Sequence, residues 1–467
     1  MKHAILILAH KNLDQLCRLI DYFHEDCDVF IHIDRSFNIS EEQYKSITSR
    51  SNVIMVYRTY DVRWGGYNIL RAELLLLNSA KNNSNASYFH LLSGEDFPIK
   101  PLSYFLNYFS GNNLYNYILV RPIRYTEAYE RFRTYSAYDF FDFKTRRGEF
   151  IINKINKIQR RINLIRNTAS IPNDVYIGSQ WFSITRKGVD TILNYTNNKP
   201  SFFKRLRFTF ACDEVYIQTI LHNLLLKECV CNNNLRLILW ENDGDYSPEY
   251  LTEKKFVALA INDGLFARKF DFKKDPVLFK NIEKYLLDEM YWQRNKGFNN
   301  FCNIAANKVI DFCKTQDVKS VVDIQSGLGL YLTVFLGHGI STNGFNKHAD
   351  NNLMKVFDVE DFVFSVDISD EITVSKDDKY DMVFCSDVSI FYDTKDLCIS
   401  IKNIYNLTNQ YFFLLCNGDD DLRNLLMFFE QKENFSKYFT LNIVASQILN
   451  TDHTGKQTKK IFIFEKK

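Results

Sequence analysis

The 467-residue chain lacks any apolar run close to the ~20 residues that a membrane-spanning helix requires. Its N-terminal stretch Ala4-Ile5-Leu6-Ile7-Leu8-Ala9 is far too short, and it has no signal-peptide pattern, so it reads as a buried first strand. Only 7 Pro and 17 Gly are present, which excludes collagen-like and low-complexity chains. Charge of one sign is also missing: the formal net charge is +2, so no global field draws the chain to nucleic acid. Ten cysteines carry no CxxC spacing, and they read as reduced core thiols rather than as a disulfide or zinc framework. These absences predict a cytoplasmic protein, either free or peripheral on the inner face of the cytoplasmic membrane. What is abundant is apolar and aromatic side chains, 46% and 15%, enough to build packed cores. At roughly 100–200 residues per domain the length predicts two or three of them.

Short β-rich runs alternate with helical patterns through the first hundred residues, the sign of an α/β fold. Strands are predicted at Ala4–Ala9, Asp28–Ile33, Val53–Val56 and Tyr88–Leu92, and helices at Leu13–Phe23 and Ile69–Ala80. The last strand runs into Ser93-Gly94-Glu95-Asp96-Phe97-Pro98, at a strand end where open α/β sheets place ligands. Residues 141–170 carry eight Lys/Arg against two acids, with isoleucines at near-helical spacing. This basic amphipathic helix either packs on the domain with a solvated face or meets an anionic membrane or lipid-diphosphate acceptor. A second α/β unit begins near 270–280. Residues 275–315 read as helical, and strands are predicted at Ser320–Ile324, Tyr380–Cys385, Tyr411–Cys416 and Lys460–Phe464.

Several segments of the first unit occur in one order: Ile7-Leu8-Ala9-His10-Lys11, Ile31-His32-Ile33-Asp34, Arg63-Trp64-Gly65-Gly66-Tyr67 with Glu73, and Leu91 to Lys100. Ile177-Gly178-Ser179-Gln180-Trp181-Phe182, Asp213-Glu214 and Leu265 to Phe270 follow. Together they resemble the core-2/I-branching β-1,6-N-acetylglucosaminyltransferases, relatives of the peptide xylosyltransferases. The resemblance implies a GT-A-like domain over 1–272 that transfers a sugar, N-acetylglucosamine first, from a UDP-sugar to a hydroxyl of a glycan or lipid-linked saccharide.

Such a transfer with inversion needs a carboxylate to take the acceptor's proton and positive charge for the departing diphosphate. Glu214, where the resemblance puts the family's acidic residue, is expected to be the base, and Asp213 the cap of the helix that follows. No Asp-x-Asp follows the strands, and the resemblance implies a metal-free reaction in which Lys269 and Lys255 stabilise the leaving phosphates. Donor contacts are expected from His10, Asp34, Arg63, Trp64, Gly65 and Arg268, and acceptor contacts from Glu95, Asp96, Trp181 and Trp240.

Val321-Val322-Asp323-Ile324-Gln325-Ser326-Gly327-Leu328-Gly329, with Asp381 to Val388, makes residues 280–467 resemble a class I S-adenosylmethionine-dependent methyltransferase, a Rossmann-like fold. That resemblance implies cofactor contacts at Asp323, Gly327, Gly329 and Asn346. Gln325 stands where the family has its first glycine, and Asn346 where it has a ribose-binding acid. The unit is therefore read either as a second enzyme, methylating the glycan, or as a non-catalytic binding module.

Overall fold

The computed structural model describes residues 1–24, 26–110, 115–123, 127–225, 229–242, 246–290, 303–327, 329–346, 354, 357, 359–375, 378–386, 397–417, 435–442, 447–450 and 458–467. Asp243, Gly244, Asp245, Leu328, Asp387 and Val388 are outside them. The chain forms two units, Met1–Leu251 with Gly264–Asp275, and Thr252–Asp263 with Pro276–Lys467.

In the first unit, β1 (His3–Ala9) and β2 (Cys27–Ile33) are buried along their whole length, as continuous apolar strands of a sheet covered on both faces should be. They pair in parallel, with Ala9 opposite Ile33, and β3 (Val53–Tyr57) continues the sheet. The chain then crosses back, so that β4 (Tyr88–Ser93) pairs in parallel with the other side of β1, Leu8 opposite Ser93. This reversal makes a topological switch point, and the residues just past β1 and β4 sit at its carboxyl edge.

Between these strands and the far edge, β5 (Phe97–Pro98) leaves the main sheet, and β6 (Asn116–Tyr117) and β9 (Ser183–Thr185) extend it with β10 (Val230–Cys231). A separate antiparallel pair is β7 (Arg121–Pro122) with β8 (Tyr176–Ile177). A small sheet then forms from β5, β12 (Phe266–Arg268) and β11 (Arg236–Ile238). Its antiparallel register, Ala267 opposite Phe97, carries Arg268 and Lys269 to the side of Glu95 and Asp96. The helix Tyr67–Asn83 buries Leu70, Leu74 and Leu77 against β1 and β2, and the helix Tyr216–Leu224 packs into the same core.

The second unit is doubly wound. β13 (Ser320–Asp323) lies at its centre, flanked by β14 (Ser341–Phe345) with β15 (Val363–Phe364) on one side and β16 (Tyr380–Cys385) with β17 (Thr408–Asn417) on the other, all parallel. β20 (Thr458–Lys466) is antiparallel to β17 and pairs with β18 (Phe439–Leu441) and β19 (Gln447–Asn450). The loop after β13 is at this sheet's own switch point, a Rossmann-like arrangement. Val322, Val383, Phe412 and Leu414 fill its core.

Candidate active site

At the first switch point a carboxylate is caged by cations. Glu95 is almost fully buried; its Oε1 lies 2.6 Å from Lys11 Nζ, and its Oε2 3.2 Å from Lys269 Nζ and 3.7 Å from His10 Nε2. Tyr250 donates its hydroxyl to the same Oε1 at 3.0 Å and accepts from Lys11 at 2.7 Å. Burial pushes the Glu95 carboxyl up, but Lys269, the hydrogen bond from Lys11 and His10 outweigh it and hold it below the usual carboxylate range. Burial holds the His10 imidazole below its ordinary value, and only Glu95 opposes that. Gln15 fixes the frame: its amide donates to Gly94 O at 3.0 Å, and its carbonyl accepts from Phe272 N at 3.0 Å. Beside the cage, Asp96 accepts from Ser93 N at 2.9 Å and faces Arg268 at 3.5 Å, whose guanidinium stacks 4.1 Å from Trp181.

A wall of aromatic rings leads away from the cage. Ser247, which accepts from Lys269 at 3.2 Å, adjoins Tyr246, and Tyr246 touches Trp64 at 5.7 Å. Trp64 in turn meets Phe210 at 5.2 Å and Tyr138 at 5.9 Å. Gly65 makes this contact possible: its φ is +72°, and a Cβ there would stand 2.4 Å from the Phe210 ring. Its carbonyl accepts from Ala211 N at 2.9 Å, fixing the turn that carries Glu214. Glu214 keeps 39% of its side chain exposed, held by Arg131 Nη1 at 3.0 Å, and Arg131 also lies over Phe210. Beneath the turn, Gln180 donates to buried Glu73 at 2.6 Å. Burial raises both the Glu73 and the Asp213 carboxyls, and Asp213 raises Glu73 further.

In the second unit the loop after β13 is closely folded. Gly327 and Gly329 have φ of +52° and +79°, and a Cβ on Gly344 would stand 2.6 Å from Ser326. Asp323 is fully buried; Oδ1 accepts from Gln325 N at 3.2 Å, while Oδ2 has no hydrogen-bond partner among the described residues. Burial pushes this carboxyl up to about 7. Asn346 donates its amide to Gly327 O at 2.8 Å.

The core-2/I-branching enzyme family matches residues 4–254. The chain belongs to that family. Its first unit is thus that of a glycosyltransferase with a GT-A-like fold. Among solved structures, the magnesium protoporphyrin IX methyltransferase of Synechocystis PCC 6803 is 14% identical, with 41% of this chain and 92% of that chain covered at a TM-score of 0.28. The N-methyltransferase NodS of Bradyrhizobium japonicum WM9 is 10% identical over 40% of this chain and 97% of that one, TM-score 0.28. The MccD protein is 13% identical over 34% and 96%, TM-score 0.26. No curated protein matches the chain.

Within this branching-family unit, His10, Glu95 and Lys269 come together, joined by Lys11 and Tyr250. Lys11 belongs to the motif around His10, whereas nothing in the local sequence marks Tyr250. Trp64 and Gly65 stand beside the Glu214 turn, and the backbone of Arg63 accepts from Gly66 N. Asp34 is committed to its own loop: Oδ1 accepts from Ser36 N and Oγ at 2.7 Å each, and Oδ2 from Val62 N at 3.0 Å. Lys255 is in a short turn of the second unit. Trp240 is half exposed. Three expectations are corrected. Asp213 does not cap the helix Tyr216–Leu224, whose N-cap Val215 offers no side-chain bond, because its carboxyl turns inward under the turn. Asp96 has no exposed surface for an acceptor; its oxygens face Ser93 and Arg268 instead. Arg166 leaves the basic helix, which ends at Arg161, and is buried.

Proposed function

We propose that the first unit transfers a sugar, N-acetylglucosamine first among candidates, from its UDP form to a hydroxyl of a glycan or lipid-linked saccharide, with inversion. The observation that carries this reading is a half-buried carboxylate, Glu214, joined by one aromatic wall to a separate pair of ammonium groups at the switch point. Glu214 takes the acceptor hydroxyl's proton as the new glycosidic bond forms and the bond to the diphosphate breaks. Arg131, 3.0 Å away, keeps the carboxylate aimed. Lys269 and Lys11 receive the charge developing on the diphosphate, so that no metal is required. His10 and the Arg63-Trp64-Gly65 loop border the nucleotide, and Trp240 offers a ring face to sugars, whereas Trp181 is buried under the Arg268 guanidinium. The enzyme works in the cytoplasm in this reading.

A panel of UDP-sugars, scored by thermal shift and slow hydrolysis, identifies the donor, and activity should persist in EDTA. Glu214→Gln should bind UDP like the natural protein while losing at least ~100-fold in transfer; wild-type turnover by this variant removes the base assignment.

A second reading concerns the second unit, and the orphaned Oδ2 of Asp323 favours it. A buried carboxylate oxygen with no partner among the described residues suits the ammonium of S-adenosylmethionine, and the turn at Gly327 and Gly329 suits close approach by a ligand. When bound, that cofactor supplies a methyl group for transfer to a nucleophile. Asn346, an amide where an acid is expected, weakens the ribose contact. Calorimetric binding of S-adenosylmethionine by the natural protein supports an active cofactor site. Binding seen only after Asn346→Asp supports a non-catalytic module.

A further inference from the structure

The helix Arg146–Arg161 turns a narrow side inward, burying Gly148, Ile152 and Gln159. Gln159 is fastened at both ends to the backbone of Tyr135, each bond 2.7 Å. The outward side centres on Phe150, which is 67% exposed. At helical spacing, Arg146 and Arg147 precede it by one turn and Lys154 and Lys157 follow by one and two, all of them exposed. Just past this side Ile158, Ile162, Leu164 and Ile165 are 50%, 63%, 44% and 58% exposed. Residues 144–161 hold seven Lys/Arg and one acid, Glu149.

The apolar tip is held in place. Leu164 N donates to Gln159 O at 3.0 Å. Immediately beyond, the buried guanidinium of Arg166 donates to the carbonyls of Thr134, Arg205, Arg207 and Phe208 and to Thr209 Oγ1, at 2.7–3.1 Å. Residues 162–165 are therefore displayed between two hydrogen-bonded anchors, which lowers the ordering cost of docking. Phe143, three residues before the helix, meets Trp64 at 5.6 Å and Tyr246 at 5.4 Å. The helix thus starts beside the aromatic wall of the site.

We infer that this face docks on an anionic phospholipid bilayer, with Phe150 and the Ile162–Ile165 tip entering the headgroup boundary and the basic collar meeting lipid phosphates, so that the acceptor comes to the site from the membrane. Charge complementarity selects this partner. A protein partner's apolar groove gives no role to seven cations, and nucleic acid gives none to five exposed large apolar side chains, whereas an anionic interface uses both. The clause about the acceptor rests on the glycosyltransferase reading, whereas the docking does not.

The test is co-sedimentation of the full chain with phosphatidylcholine vesicles, with and without phosphatidylglycerol. Binding should appear only with phosphatidylglycerol and weaken with salt. The surface variant Phe150→Glu/Ile162→Glu/Ile165→Glu should bind on the order of tenfold more weakly or worse, with its melting temperature and its hydrolysis of UDP-sugar in solution unchanged. Failure of the natural protein to bind anionic vesicles overturns the inference, as does unchanged binding by the triple variant. It is also overturned if the triple substitution abolishes self-association or nucleic-acid binding while sparing vesicle binding. If vesicle binding behaves as expected but Glu214→Gln is fully active, the catalytic reading fails and the docking surface stands.

Discussion

Glu95→Gln should be among the most damaging single changes in the first unit. It removes the one negative charge that, among the described residues, contacts Lys11 and Lys269, while keeping the side chain's size and one acceptor oxygen. Lys269 is 9% exposed and cannot regain water without opening the loop, whereas Lys11 is 34% exposed and can. Breaking a buried pair from one side costs about 3–5 kcal/mol, and the more hydrated lysine contributes little to that. A loss of about 2–4 kcal/mol is therefore expected. Urea unfolding followed by tryptophan fluorescence reads it, because Trp64, Trp181 and Trp240 all belong to this unit. The double variant Glu95→Gln/Lys269→Met should cost less than the two single changes together, with a coupling of about 1–3 kcal/mol.

The pH dependence has a definite sign. Glu95 is held below its ordinary value in the folded state, so its contribution is complete above the unfolded carboxyl value of about 4.3 and is lost as pH falls through the folded one. The variant's stability should therefore be flatter than the natural protein's across acid pH. A loss under about 0.5 kcal/mol, or strict additivity with Lys269→Met, would refute the caged-carboxylate argument.

Two further substitutions probe the frame around Glu214. Gly65→Ala places a Cβ 2.4 Å from the Phe210 ring at a positive φ, so the melting temperature should fall by the equivalent of about 2 kcal/mol or more, and transfer should fall with it through the Ala211 contact. Glu73→Gln replaces a carboxyl that burial and Asp213 raise above its ordinary value. Such a group favours the folded state less as pH climbs above the unfolded value, so the variant should gain on the natural protein from about pH 4.3 upward. Melting temperatures across pH measure it, and a gap that does not change with pH excludes the buried ionisable group.

The strands were legible because their signal is local. Continuous apolar runs such as Ala4–Ala9 and Tyr380–Cys385 announce buried parallel strands, and the structure extends or trims those expectations by a few residues. The ends of those strands were legible for the same reason, which is why His10 and Glu95 could be singled out. Their partners were not. Tyr250 reaches Glu95 across 155 residues and Arg131 reaches Glu214 across 83, contacts that no spacing rule encodes. The basic segment misled in part because periodicity assigns faces without saying which face is inward: Ile152 went into the core, while Ile158 and Ile162 stayed outside. Arg166 looked like one more surface charge until the fold supplied the carbonyls that surround it.

The chain leaves the first unit at Leu251, enters the second for Thr252–Asp263, returns for Gly264–Asp275 and departs again at Pro276. In that excursion Phe256 is fully buried, stacking 5.8 Å from Phe357 and meeting Tyr285 edge-on at 6.2 Å. A cassette joined to a finished enzyme is linked once, and a single cut releases it. Here a cut near residue 276 leaves a twelve-residue loop whose aromatic anchor has lost its socket. The two units are stitched rather than strung, and a gene trimmed at that seam would encode a glycosyltransferase with part of its neighbour's core exposed to water.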